Sequence, residues 1–484
     1  MNRELKRLSV VIAVMFLALF VVTTYIQVVA VDSLSADGRN TRVLFDSYKT
    51  QRGSIRVDGS PVAISLPSGD EYSFQRTYPD PFVYAQTTGF YSLNHGVMGI
   101  EGALNSFLSG TDNAQFLDQL NALLTGKPIS GATVDLTLSA RVQQAAWDAL
   151  GTFTGAVTVL EVDTGKIVAM ASTPSYDPNS LSSHDENSVI QSYERLVADP
   201  SNPLTNRVID GRMNPPGSTF KLVVAAAALE SGKYTPESTF PNPSELLLPQ
   251  TTVLIHNSDG KTCGPGDVVT MRDALRLSCN IPFAELGMEL GSKALLTQAE
   301  KFGFNTSFTI PMSVEASSFP LVLDTPQTGL ASFGQFDVRA TPLQIAMLSA
   351  AIANGGVLMT PNVVESITSS DLKPISTFTP REFSRPISPS TAATLRDMMI
   401  GDVANGAASN AKISGVDVGG KTGTAENGED QPYSLWFTGF AGNDAHTYAV
   451  TVLIEDGGGM GQNGYGNLLA APIAKKVLEA VLNK

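Results

Sequence analysis

Residues 8–31 form an apolar run interrupted only by Ser9, Thr23, Thr24, Tyr25 and Gln27, so this stretch has to be buried, in lipid or in a core. About 20 apolar residues suffice for one helix to span a bilayer. Arg3, Lys6 and Arg7 outweigh Glu4 ahead of the run, which predicts a cytoplasmic tail at 1–7 and everything after residue 31 outside. A cleaved signal peptide is the rival. Its apolar core is usually shorter and ends in a small-residue cleavage site, and neither feature is seen. The expectation is an uncleaved, single-pass cell-membrane anchor at 8–31.

The chain has 484 residues, enough for more than one core. Its formal net charge of −14 opposes a role in binding nucleic acid, which needs a basic surface. His95, His184, His256 and His446 are scattered, and Cys263 and Cys279 form no Cys-x-x-Cys, so neither a metal nor a cofactor is expected.

Residues 32–139 alternate strand-like pieces (41–48, 62–66, 72–74, 133–137) with turns and one helical piece at 102–108. This part reads as a non-catalytic module. From residue 140 the pattern changes. An amphipathic helix at 141–150 precedes a hairpin, 156–162 and 166–171, turning at Asp163-Thr164-Gly165. Residues 174–203 read as loop, and 341–354 as an apolar helix. Strands follow at 421–425, 434–441 and 447–455, then a terminal helix at 467–484. Strands at both ends with helices between predict an α/β fold of the α+β type, one antiparallel sheet flanked by helices.

Three short motifs carry chemistry. In Asn214-Pro215-Pro216-Gly217-Ser218-Thr219-Phe220-Lys221, one helical turn puts the Lys221 amine under the Ser218 hydroxyl. The following residues are apolar on every side, as in a buried helix. A buried lysine loses solvation when charged, so its pKa falls and it can serve as the base that activates a serine. Taken alone the spacing is weak, since Ser370-x-x-Lys373 also fits and a capping serine explains it as well. Ser278-Cys279-Asn280 interrupts two helical stretches, but Ser92-Leu93-Asn94 matches equally. Lys421-Thr422-Gly423-Thr424 offers an amine and two hydroxyls on a strand edge, with a glycine where a substrate backbone can approach.

Together, in this order, the three motifs resemble those of penicillin-binding proteins and class A β-lactamases. The Asn206-Arg207 lead-in and Thr341-Pro342-Leu343-Gln344 strengthen the likeness. More narrowly, the chain is similar to actinobacterial class B penicillin-binding proteins, with an anchor, a pedestal or dimerisation-type module at 32–139 and a transpeptidase domain at 140–484. Arg52-Gly53-Ser54-Ile55-Arg56-Val57-Asp58-Gly59 only approximates the family's motif in that module.

The resemblance implies a peptidoglycan D,D-transpeptidase. Ser218 would attack the penultimate D-alanine of a stem peptide, Lys221 would take its proton, and Ser278 would pass a proton to the leaving amine. Asn280 would orient Lys221 and the substrate. Lys421, Thr422 and Thr424 would hold the terminal carboxylate, with the backbone N–H groups of Ser218 and Thr424 as the oxyanion hole. β-Lactams would block Ser218 covalently. Implied partners are stem peptides on nascent glycan, a membrane-embedded SEDS-type glycan polymerase, and divisome or elongation proteins. Cys263 and Cys279, outside the cell, either pair or remain two free buried thiols. Two alternatives use the same residues: a D,D-carboxypeptidase or β-lactamase with water as acceptor, and a penicillin-binding scaffold or sensor without turnover.

Overall fold

A computed structural model describes residues 3–30, 50–125, 130–258, 260–442 and 446–483. The expected strand piece at 41–48 lies outside the described residues. The α-helix Arg3–Thr24 continues into a π-helical turn, Tyr25–Val29, and none of the helix's side chains is buried against protein. Over Arg3–Val28 it is long and apolar enough to cross a membrane.

A six-stranded sheet follows, in the order Pro374–Thr377, Val364–Thr368, Thr133–Leu136, Ile55–Val57, Ser60–Pro67, Phe74–Thr77. Ile55–Val57 runs parallel to Thr133–Leu136, and the other neighbours are antiparallel. Two of its strands thus come from more than 200 residues further along the chain. Ile55, Val57, Val62, Ala63, Val134 and Leu136 are buried in this layer. Beside it, the Glu101 carboxylate is buried between two guanidiniums, 2.5 Å from Arg52 Nε and 2.6 Å from Arg76 Nε. Gly53 has no room for a side chain, since a Cβ there would lie 1.8 Å from the Ala132 carbonyl oxygen. The strand expected at 72–74 is Phe74–Thr77 instead, because Ser73 is left-handed at φ 68 and ends the preceding turn. The single helical piece expected at 102–108 is two, Gly99–Ala103 and Asn105–Ser109, broken where Leu104 leaves helical geometry.

The second sheet is five-stranded and antiparallel, ordered Gly419–Ala425, Ser434–Gly442, Thr447–Ile454, Gly155–Glu161, Ile167–Thr173. Side chains alternate between its faces. Val157, Val159, Val450 and Val452 pack with the helices Ala140–Leu150 and Gly466–Val481. Ala156, Leu160, Ala449 and Leu453 join the larger core with Lys221–Glu230 and Pro342–Ala353, both apolar on every side and almost wholly buried. The 174–203 stretch read as loop contains a 13-residue helix, Glu186–Ala198. Its apolar positions are Val189, Ile190, Tyr193, Leu196 and Val197, of which Tyr193 and Leu196 pack on the cluster of Phe90 and Tyr176. These positions do recur at helical spacing, but the Pro, Ser, Asn and Asp residues that crowd 174–188 and 199–203 make the whole stretch look like loop.

Candidate active site

Asn214 to Gly217 deliver the serine. The Asn214 side chain donates to Glu455 Oε1 at 2.9 Å and accepts from Ser434 Oγ at 2.7 Å, and Arg207 Nε pairs with Glu455 Oε2 at 3.1 Å. Trp436 Nε1 donates to the Pro215 carbonyl at 2.9 Å. Gly217 then turns at φ 53 into a 3-10 turn, Gly217–Phe220, which runs directly into Lys221–Glu230. Ser218 is 7% exposed, while Lys221 is fully buried.

Lys221 Nζ stands 2.9 Å from Ser218 Oγ and donates to the Ser278 carbonyl and to Asn280 Oδ1, each at 2.8 Å. Burial pushes its pKa well below the ordinary lysine value, the nearby Lys421 charge pushes the same way, and Asp402 opposes both. Ser278 sits between Met271–Arg276 and Ile281–Leu290 at φ 59, a left-handed conformation uncommon outside glycine. In that conformation its carbonyl meets Lys221 while its hydroxyl accepts from Lys421 Nζ at 2.7 Å. Asn280 is held from behind, its Nδ2 donating to the His256 carbonyl and its backbone N–H to Asn257 Oδ1, both at 2.9 Å. Cys279, the residue between, is disulfide-bonded to Cys263, with Cα atoms 5.7 Å apart.

Gly419–Ala425 is an edge strand, with one neighbour in its sheet. Lys421 and Gly423 share one side of it, toward the serine turn; a Cβ on Gly423 would lie 2.8 Å from the Pro216 carbonyl oxygen. Thr422 and Thr424 alternate to the other side. Thr422 Oγ1 donates to the Ala407 carbonyl and Thr424 Oγ1 accepts from Gly466 N–H, both at 3.2 Å. The structure therefore brings Ser218, Lys221, Ser278, Asn280 and Lys421 into one hydrogen-bonded cluster, with the two threonines on the adjoining strand face. The two weaker matches stay out of it: Ser92 is on a separate two-stranded ribbon, and Lys373 pairs with Asp371 at the surface.

A sequence model of the penicillin binding protein transpeptidase domain matches residues 155–479, about two thirds of the chain. This chain belongs to the penicillin-binding transpeptidase family. A second model, of the penicillin binding protein A dimerisation domain, matches residues 52–134. Two similar proteins are the peptidoglycan D,D-transpeptidases PbpA of Mycolicibacterium smegmatis, 41% identical over 100% of both chains, and of Mycobacterium tuberculosis, 40% identical over 100% of this chain and 99% of the relative. Among solved structures, the ceftriaxone acyl-enzyme of M. tuberculosis penicillin-binding protein A superposes with a TM-score of 0.87 at 40% identity, covering 90% of this chain and 100% of that one. Its penicillin G acyl-enzyme gives 0.85 over the same shares. The mixed α/β architecture is that of penicillin-binding transpeptidases.

Sequence reasoning missed the support of the site. Asn257, Gly334, Asp402, Trp436 and Glu455 come from five separate segments, and no short spacing connects any of them to the three motifs. Gly334, at φ 74, accepts from Gly217 N–H at 3.0 Å, and a lone glycine in the sequence says nothing of what it packs against.

Proposed function

We propose that this protein is a membrane-anchored peptidoglycan D,D-transpeptidase that works through a Ser218 acyl-enzyme and is blocked there by β-lactams. The observation that carries this is the buried Lys221 amine, 2.9 Å from Ser218 Oγ with two oxygen acceptors on its other side. A neutral amine has two N–H groups and one lone pair. With the N–H groups directed to the Ser278 carbonyl and Asn280 Oδ1, the lone pair is left for the Ser218 proton.

Ser218 Oγ bonds to the carbonyl carbon of the penultimate D-alanine as its proton passes to Lys221. The C–N bond to the terminal D-alanine breaks, and Ser278 relays a proton to the departing amine. Asn280 orients Lys221 and the substrate amide. Lys421, Thr422 and Thr424 bind the terminal carboxylate, Gly423 lets the donor backbone lie close, and the Ser218 and Thr424 N–H groups stabilise the oxyanion. The amine of a second stem peptide then attacks the ester carbonyl, its proton passing back through Lys221 to Ser218 as the cross-link forms. No step draws on a metal or cofactor.

The charge bias of residues 1–7 favours a catalytic part outside the cytoplasm, carried on residues 8–31. Residues 32–139 are assigned to the non-catalytic module and 140–484 to the transpeptidase. A membrane-embedded glycan polymerase of SEDS type, with divisome or elongation proteins, is the partner set that fits an anchored cross-linker, and the anchor helix is its natural contact. Ser218→Ala should abolish covalent labelling by a fluorescent penicillin in a folded protein, and labelling that persists refutes the assignment. Product analysis on paired stem peptides separates cross-linking from hydrolysis.

A further inference from the structure

One buried carboxylate faces the site and takes part in none of the steps above. Asp402 lies in the last turn of the helix Pro389–Asn405 and is fully buried. Its Oδ1 accepts from Ala408 N–H at 2.8 Å. Its Oδ2 has no hydrogen-bond donor among the described residues and stands 3.8 Å from Lys421 Nζ, itself fully buried. We propose that Asp402 is a positioning residue for acyl transfer, the counter-charge that makes Lys421, and not Lys221, the protonated amine of this cluster.

Two amines and one carboxylate share a pocket shielded from water, where unbalanced charge is expensive. The balanced state has one proton on one of the two amines, and geometry decides which. Lys421 is the amine beside the carboxylate, whereas Lys221 hydrogen-bonds to a hydroxyl, a carbonyl and an amide oxygen, with the Phe283 ring centre 5.7 Å from its Nζ. A charged Lys421 then does two things. It donates to Ser278 Oγ and presents a cation to the substrate carboxylate, and its field helps keep Lys221 neutral. Burial raises the Asp402 pKa, and Lys421 is the largest influence pulling it back toward the charged form. Burial lowers Lys421, and Asp402 is what raises it.

The other charged groups around Asp402 are few. Arg276, closing Met271–Arg276, also draws its pKa down. Lys221 faces it from the serine helix, and Pro342–Ala353 carries no charged residue. Lys412 reaches only the Ala404 carbonyl, at 3.5 Å. On its own helix, Arg396 lies over the Phe440 ring and Asp397 pairs with Arg272.

The assignment rests on the acyl-transfer reading, and its test keeps the two apart. Asp402→Asn preserves shape and the Ala408 contact but removes the charge. The second-order rate of acylation by a fluorescent penicillin is followed against pH. In the variant, the alkaline limb, where Lys421 loses its proton, should move down by about one pH unit or more. On that limb the rate then falls about tenfold or more below native. A fall by the same factor at every pH, or an unmoved limb, overturns the proposal while leaving Ser218 chemistry intact. Native protein that is not labelled at all overturns the acyl-transfer reading instead. Should Asp402→Asn not fold, ¹⁵N-lysine NMR of the native protein decides. Lys421 keeping its proton to higher pH than Lys221 supports the assignment, and the reverse order refutes it.

Discussion

Gly334→Ala should cripple acylation without touching any group that contacts substrate. Gly334 N–H closes a turn on the Ala331 carbonyl, and its own carbonyl accepts from Gly217 N–H, both at 3.0 Å. A Cβ at Gly334 would lie 2.0 Å from the Gly217 oxygen and 2.7 Å from the Gly217 carbon and nitrogen. All three are backbone atoms, so no side chain can swing away. Relief requires the two chains to separate by about 1 Å, and Ser218 is the residue after Gly217. Misplacement of about 1 Å at a reacting group is enough for about a 100-fold loss of rate. Overpacking adds about 1–3 kcal/mol of destabilisation, beyond the about 1–2 kcal/mol for a left-handed alanine at φ 74. Gly232→Ala separates these effects. Gly232 closes the same serine helix at φ 69 with nothing within 4 Å of its Cβ position, so only the conformational cost applies. Stopped-flow acylation by a penicillin and thermal unfolding of both variants provide the comparison. Gly334→Ala should lose both rate and stability, and Gly232→Ala only stability. Native acylation in Gly334→Ala would mean that this turn does not set the position of Ser218.

Lys221→Ala should slow acylation by about 10²–10⁴-fold, the usual worth of a positioned base, measured by labelling kinetics of the purified variant. In the native protein the acid limb of acylation should reflect Lys221. Its lowered pKa keeps it neutral well below the ordinary lysine range, and the rate falls as acid protonates it. Reducing the Cys263–Cys279 bond, 16 residues apart, should cost about 3 kcal/mol and slow acylation, because Cys279 ties Ser278 and Asn280 to the cleft wall. Unchanged melting and labelling with reductant would count against that. Glu101→Gln leaves two buried guanidiniums without their anion, so the melting temperature should drop while the acylation rate of folded protein is kept. For the same residue, burial raises the pKa but Arg76 and Arg52 together overcome it, for a net lowering. Its stabilisation is therefore present above the unfolded carboxylate pKa and is lost as pH falls through the lower folded one, which a series of thermal scans into acid would record.

The three motifs were legible because each is local. Lys221 follows Ser218 by one turn, Asn280 follows Ser278 by two residues, and Lys421 to Thr424 occupy one strand, so chemistry and spacing appear together in the text of the chain. The five-stranded sheet was legible for a similar reason, since its strands alternate or run apolar between clear turns. What joins the pieces was not. Asp402 belongs to no motif in the sequence, and only the fold brings it within 3.8 Å of Lys421. Glu455 ends a strand like any solvent-facing glutamate, yet it is buried against Arg207 and Asn214. The Glu186–Ala198 helix was missed because its apolar positions, though helically spaced, sit between runs of Pro, Ser, Asn and Asp that mark loop. The six-stranded sheet's two late strands, Val364–Thr368 and Pro374–Thr377, were invisible as an extension of Thr133–Leu136 for want of any local sign of pairing.

Those two strands bear on how the molecule can be taken apart. Deleting everything before residue 140 would strip Val364–Thr368 of Thr133–Leu136, exposing raw N–H and C=O groups along a cut margin. Such a margin recruits foreign strands. A soluble catalytic fragment is therefore better started near residue 50, keeping the graft whole. A mechanical pull on Ile55–Val57 would travel through Thr133–Leu136 along hydrogen-bonded backbone to Val364–Thr368.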